Sequence, residues 1–471
     1  MKILKLFVFV GLSLLFLNSC QDDRDDNITN INELANQENI KDYIWKAMNT
    51  FYVYKSDSPN LADDRFESTP EYRGFLNSVE LPPEFFNSLL ANQDRYSFLV
   101  SDFVTLEQSL DGISLDNGMA FGLIRFMGTN TVFGYVRYVI PGSPADSAGL
   151  ERGMIFNRIG GIVFSPDTDF NQLLNPASYT IGLAEFQNDD LVQLDEEVAL
   201  NKVQLTENPI HDQRVLELDG LKIGYLMYNN FRTPFNTELN AVFANFASEG
   251  ISDLVLDLRY NSGGSIETAK DLSSMITGQF NDQVFAQQLF NTNFAPQNLI
   301  FDNQINTGEA INNLNLSRVF VLTTGSSASA SELVINALNP YINVVQIGTT
   351  TEGKFEGSAT LYDSEDYTRS NVNLDHTYAI QPLILKTANK DGFTDFFDGL
   401  DPDIESRENF SNLGILGDPD ETLLNRALQE IIPGFAPTSN ESKSIHSIEL
   451  LGEDDMSSPS FQRMYTEYKN K

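Results

Sequence analysis

Cysteine is nearly missing: Cys20 is the only one in 471 residues, so no intramolecular disulfide can form and no Cys-rich metal cluster can be built. Histidine is almost as scarce. His211, His376 and His446 are the whole supply, with no H-E-x-x-H pair and no Cys/His cluster, which argues against a metal hydrolase and weakens a Ser-His-Asp triad. Basic residues are outnumbered, 30 Lys and Arg against 66 Asp and Glu, and the formal net charge of -36 would repel nucleic acid and anionic lipid headgroups. No nucleic-acid partner is expected. Nor does any run of 18 apolar residues appear that would read as a membrane span.

What is present is globular in composition, 41% hydrophobic and 11% aromatic, and long enough for two or three domains. Lys2 and Lys5 precede an apolar run over 6–17, which reads as the core of a secretory signal occupying 1–19. The run ends in Leu17-Asn18-Ser19-Cys20, which resembles a bacterial lipobox. That resemblance implies lipidation of Cys20, membrane attachment through the lipid alone, and a place in the bacterial cell envelope, on the periplasmic face or the outer surface of the outer membrane. Residues 20–38 are rich in Asp and Asn and read as a flexible acidic tether, with "QDDRDD" at 21–26 either an export tag or a solvated linker.

From 39 to 105 the texture is helical. Ile40, Ile44, Met48, Phe51 and Tyr52 recur at helical spacing, and "PPEFFNSLL" opens a second helix with Pro82 and Pro83. The next segment, 106–205, changes to short strands and turns. Within it, "YVIPGSPADSAGLERGMIFNRIGG" (138–161) resembles the PDZ domains of bacterial proteases, whose pattern is G-S-P-A-x-x-A-G-L-x-x-G-D-x-I, with Met154 in place of the usual Asp. PDZ domains add an extended peptide to a sheet edge and capture a terminal carboxylate with backbone amides. "MAFGLIRF" (119–126) resembles that loop and strand, which implies peptide contacts at Phe121, Gly122 and Leu123; an ordinary buried strand is the other reading.

From 206 to 437 the pattern alternates. Strands are expected at 222–228, 253–259, 318–324 and 343–349. Between the first three lie helices carrying Leu239, Phe243 and Phe246, then Ile266, Ala269, Leu272 and Met275; helix 330–338 separates the last two. Strands spaced by helices imply βαβ crossovers, hence an α/β fold with a mainly parallel sheet and packed helices. A last helix begins near Asp420, and beyond Pro433 the chain turns polar, so 438–471 is expected to be a poorly ordered tail.

Two stretches compete for the chemistry. "GTTTEGKF" (348–355) has the G-x-x-x-x-G-K spacing of a phosphate loop, but Phe355 stands where Ser or Thr should bind magnesium, Glu352 would oppose phosphate, and strand-like rather than helical sequence follows. A nucleotide site is therefore rejected. "TGSSASASE" (324–332) lies where a strand ends and a helix starts, the end of a parallel sheet at which sites form, and where helix amides can stabilise negative charge. Ser329 through Glu332 is equally an S-x-x-E capping box, so Ser329 reads as nucleophile or as helix cap. "DLRYNSGG" (257–264) places Gly263 and Gly264 just past another strand, where their amides can turn toward a carbonyl oxygen. Lys354 follows Ser329 by 25 residues, one helix and one strand later.

These pieces together resemble the C-terminal processing peptidases, serine proteases with a Ser/Lys dyad, over roughly 39–435. The resemblance implies Ser329 as nucleophile, Lys354 as general base, and an oxyanion hole from the Ala330 amide with that of Gly263 or Gly264. It also implies extended or C-terminal protein segments as substrate, and no cofactor or metal. A Gln four residues after the lysine commonly orients it; this chain has Ser358 there. The dyad requires a neutral lysine, so Lys354 is expected in an apolar pocket, walled by Phe355 and free of salt bridges to Glu352 or Glu356. The competing function is a catalytically idle lipoprotein that holds peptides in the PDZ-like groove. A β-lactamase-like hydrolase fits less well, because its S-x-x-K places both groups on one helix.

Overall fold

The computed structural model describes residues 24–187, 190–437 and 448–468. Cys20, the signal segment and His446 lie outside these. At the centre is a six-stranded sheet in the order Ile210–Leu218, Leu221–Tyr228, Asp253–Asp257, Arg318–Thr323, Asn343–Gly348, Ile404–Glu405. Its first pair is antiparallel and all others are parallel.

Helices Asn236–Glu249, Ile266–Thr277 and Ala330–Leu338 make the crossovers. Successive strand residues point to opposite faces, and both faces are covered. Leu226 and Tyr228 join Phe243, Leu272 and Leu333 on one side, while Ile223, Tyr225 and Met227 meet Leu423, Leu424 and Leu428 of helix Thr422–Ile431 on the other. The expected α/β architecture is therefore found, with the parallel strands at the expected places.

Helix Arg24–Phe51 buries Ile40, Ile44, Met48 and Tyr52 against Phe85, Phe86 and Leu89, all continuous with the first of those two cores. It starts well inside the stretch read from composition as a flexible tether. Once a packed turn nucleates a helix, each further residue adds a hydrogen bond at little cost, and Asp and Asn do not prevent that.

A second sheet runs Met119–Phe126, Val132–Val139, Ile155–Ile159, Ser178–Gln187, Asp190–Asn201, around a core of Phe121, Phe156, Phe164, Ile181 and Leu200. Its outer edge is not open. Ile448–Glu453 pairs antiparallel with Met119–Phe126, with Ile448 opposite Phe126 and Glu453 opposite Gly122. Farther on, Met464–Tyr465 inserts between Gly264–Ser265 and Glu356–Ser358 in a third sheet that continues through Leu383–Ala388, Val284–Phe290 and Gln297–Ile300. The expectation of a poorly ordered tail is thus corrected over 448–468. Backbone pairing to two waiting edges, with Met464 fully buried, supplies order that the tail's polar composition conceals.

Candidate active site

Ser329 sits at the junction of strand Arg318–Thr323 and helix Ala330–Leu338 with φ 62° and ψ -112°. A non-glycine residue held there costs of order 1–3 kcal/mol and persists only when its surroundings fix it. They do, and the other serines of the run supply the ties. Ser327 Oγ donates to the Leu258 carbonyl at 2.8 Å, Ser331 Oγ to the Asn261 carbonyl at 2.9 Å, and Ser326 Oγ to Glu453 Oε1 at 2.6 Å. Ser329 Oγ instead donates to the Gln462 carbonyl at 3.2 Å.

Ser329 is the N-cap of the helix, in the capping box read from the sequence, and its N3 partner Glu332 carries a carboxylate that also fixes the lysine loop. Its Oε2 accepts from the Ser329 amide at 2.7 Å and the Lys354 amide at 2.9 Å; its Oε1 accepts from the Gly353 amide at 2.7 Å and Thr351 Oγ1 at 2.6 Å. Burial pushes this carboxyl up to about 7, against the pull of the four donors. From sequence Glu332 read only as the partner of Ser329 in a capping box; nothing local showed that the same carboxylate reaches Thr351, Gly353 and Lys354.

Lys354 is fully buried. Its ammonium lies 4.9 Å from the Tyr96 ring centroid and donates to the Glu356 carbonyl at 3.2 Å. Burial first, and then the neighbouring Arg463 guanidinium, lower its pKa to about 7. The two carboxylates that threatened it are engaged elsewhere, Glu352 with Arg95 at 3.7 Å and Tyr96 Oη at 3.2 Å, Glu356 with the Tyr54 hydroxyl. The aromatic wall is Tyr96. Phe355 is buried among Phe396 and Phe397 instead, because adjacent residues of an extended segment point to opposite sides. No hydrogen bond joins Lys354 Nζ to Ser329 Oγ among the described residues, and Ser358 Oγ turns to the Met464 carbonyl at 3.2 Å. The backbone of Glu356 therefore holds the amine here.

Gly263 and Gly264 have φ of 120° and 135°, a region that disfavours any side chain. A Cβ on Gly264 would lie 2.3 Å from the Phe231 carbonyl oxygen. The Gly263 amide is taken by Asn261 Oδ1 at 2.9 Å, whereas the Gly264 amide donates to the Arg463 carbonyl at 2.5 Å. Of the two glycines left open by sequence, Gly264 is the one whose amide meets a carbonyl of the tail. Ala330 opens its helix, where amides have no partner within the helix. Phe121, Gly122 and Leu123 lie in the strand that the tail covers, and the Phe121 amide donates to Asp454 Oδ1 at 3.1 Å.

The two described histidines stand apart from this chemistry: His376 Nε2 pairs with Asp363 Oδ2 at 2.9 Å, and His211 packs tilted against the Tyr138 ring with burial lowering its pKa. The loop 349–355 leads into strand Glu356–Ser358 rather than a helix, as expected when the phosphate-loop spacing was rejected.

Residues 222–406 match the model of Peptidase family S41, and residues 39–98 match that of the Peptidase S41 N-terminal domain. The chain belongs to the S41 peptidases. Among relatives, a carboxyl-terminal-processing protease of Picosynechococcus sp. is 27% identical over 220 residues, 46% of this chain and 49% of that one. The chloroplastic carboxyl-terminal-processing peptidase 2 of Arabidopsis thaliana is 26% identical over 227 residues, 45% and 40% of the two chains. The S41 chain thus spans half or less of the length of these curated relatives. A crystal structure described as an S41 protease from Bacteroides fragilis superposes with a TM-score of 0.65 at 28% identity, covering 83% of this chain and 96% of that one. The S41 match contains Ser329, Lys354 and Gly264.

Proposed function

We propose that this S41 chain is a serine endopeptidase that cuts extended or C-terminal segments of proteins through Ser329 and Lys354. One observation carries the reading: a peptide segment lies in the cleft with the Ser329 hydroxyl and the Gly264 amide on two successive carbonyls, beside a buried lysine whose pKa is lowered to about 7. In acylation, the Ser329 proton passes to neutral Lys354 Nζ, Oγ bonds to the substrate carbonyl carbon, and the oxyanion receives the amides of Gly264 and Ala330. The C–N bond then breaks, with Lys354 returning the proton to the leaving amine. Water, deprotonated by the same lysine, releases the acyl group and regenerates Ser329.

The sheet at 119–201 serves in this reading as a PDZ-like module that recruits the substrate by strand addition at Phe121, Gly122 and Leu123. Strand pairing at that edge and a carboxylate on the Phe121 amide support it. Cys20 anchors the protein to the cell envelope through lipid, which labelling with a radioactive fatty acid would detect in the wild type and not in Cys20→Ser.

Unstructured β-casein tests the chemistry. Wild type should fragment it, and Ser329→Ala and Lys354→Ala should each lose at least about 1000-fold in rate, the scale expected when one member of a catalytic unit is removed. Equal cleavage by both variants would refute the dyad. A wild type that binds peptides but never cuts them would transfer the assignment to the idle peptide-binding reading.

A further inference from the structure

The 448–468 segment touches both halves of the site in the manner of a ligand. Strand Ile448–Glu453 completes the edge at Met119–Phe126, and the Asp454 carboxylate takes the Phe121 amide at 3.1 Å, where a peptide's terminal carboxylate would be received. Eight residues on, the chain enters the catalytic cleft. Ser329 Oγ donates to the Gln462 carbonyl, and Gly264 donates to the Arg463 carbonyl at 2.5 Å. The tightness at Gly263 places Ser329 beside that same peptide group: a Cβ built there would meet Arg463 O at 2.4 Å, Ser329 Cβ at 2.6 Å and Arg463 C at 3.2 Å.

Both sides of the Arg463–Met464 bond are held. Upstream, the Arg463 guanidinium fills a slot, donating to the Tyr96 carbonyl at 2.6 Å and the Pro459 carbonyl at 3.1 Å, with the Phe98 ring centroid 4.3 Å from Cζ. Downstream, Met464 and Tyr465 lie parallel to Gly264 and Ser265, Ser358 Oγ donates to the Met464 carbonyl at 3.2 Å, and the Thr466 amide donates to the Ser358 carbonyl at 3.0 Å. A carbonyl whose oxygen rests on an oxyanion donor, flanked by a seated side chain and a paired strand, is bound as a scissile group is bound.

We propose that the Arg463–Met464 peptide bond is a self-processing site, cut by Ser329 of the same chain; this rests on the serine-peptidase reading above. Ser329 Oγ rotates from the Gln462 carbonyl to the adjacent Arg463 carbonyl carbon and gives its proton to Lys354. The new Oγ–C bond forms, the C–N bond to Met464 breaks, and Met464 leaves with a free amine protonated by Lys354. Water hydrolyses the acyl-enzyme, leaving Arg463 as the new C-terminus. The cut frees 464–471, whose strand lies between Gly264–Ser265 and Glu356–Ser358, and so clears the two edges that an incoming substrate needs. Before the cut, the tail occupies the site and excludes other peptides.

Full-length wild type, Ser329→Ala and Lys354→Met are incubated near neutral pH and weighed intact by mass spectrometry, with β-casein cleavage followed in parallel and thermal melting used to confirm folding. The wild type should lose the eight residues 464–471 while both variants keep them, and casein cleavage should accelerate as the truncated form accumulates. A wild type that digests casein yet retains residue 471, or that is cut at another bond of the tail, overturns this proposal and leaves the peptidase reading standing. If neither the tail nor casein is cut, the peptidase reading falls and the self-processing site falls with it.

Discussion

Lys354 is a cationic residue type placed where a cation is costly: fully buried, against the Tyr96 ring, with Arg463 nearby and its Nζ hydrogen-bonded to a backbone carbonyl rather than a carboxylate. Folding therefore favours loss of its proton, from an ordinary 10.5 to about 7. Two consequences can be measured. As the proposed proton acceptor, Lys354 is competent only when neutral, so kcat/KM should rise with pH through an acid limb centred near 7. Lys354→Arg, which stays charged throughout, should be inactive across the whole range. Stability carries the opposite face of the same linkage. Between about 7 and 10.5 the unfolded chain holds a proton that the folded chain has lost, so this group's destabilising effect is complete below 7 and shrinks as pH rises, by roughly 1.4 kcal/mol per unit. In a Ser329→Ala background, adding Lys354→Met should thus raise Tm most at about pH 6, with the gain fading toward pH 10. A gain that does not vary with pH would mean the lysine is not titrating abnormally.

At the scale of elements, two loops that are separate in sequence behave as one unit because Glu332 holds both. Each of its oxygens accepts from two donors, so Glu332→Gln must turn an NH2 toward groups that can only donate or already do so. Unsatisfied buried groups cost about 1–3 kcal/mol each, and the displaced loops carry Ser329 and Lys354. The variant should be less stable by about 2–4 kcal/mol and lose at least about 10-fold in kcat with little change in KM; near wild-type kcat would show that Glu332 does not position the pair. The strands and crossover helices of the central sheet could be read directly, since "KIGYLMY" and "DLVLDLR" are short runs rich in Leu, Ile, Val, Met and Tyr and glycine or polar runs separate them from helical periods. Ser329, Lys354 and the glycine pair could be placed near strand ends in the same way, whereas their roles came from the family resemblance. What could not be read were contacts that join distant segments. Tyr96 over Lys354, Asn261 on the Gly263 amide, and the division of labour between Gly263 and Gly264 all depend on where a strand's end meets another loop, and no local pattern encodes that.

Across the whole molecule, the tail links the 119–201 sheet to the turn that carries Ser329 through one charged cluster. Arg137 Nη1 donates to Glu453 Oε2 at 2.7 Å and Nη2 to Ser326 Oγ at 2.9 Å, while Ser326 donates to Glu453 Oε1 at 2.6 Å, so a single carboxylate bridges the sheet domain and the turn that carries Ser329. Each of the three is buried. Removing one ion of a buried pair strands the other at a cost of about 3–5 kcal/mol, whereas replacing both with apolar groups of similar volume is often neutral. The tail can escape that cost by detaching, which lets water reach Arg137. In a Ser329→Ala background, Glu453→Met should therefore speed amide exchange in both 448–453 and 119–126, the two strands that protect each other. Adding Arg137→Met should restore slow exchange, because no stranded charge remains to drive the strands apart. Faster exchange in the double variant than in the single one would mean that the ion pair itself, rather than backbone pairing and burial, holds the tail on the sheet; unchanged exchange in Glu453→Met would remove the charged cluster from any part in docking it.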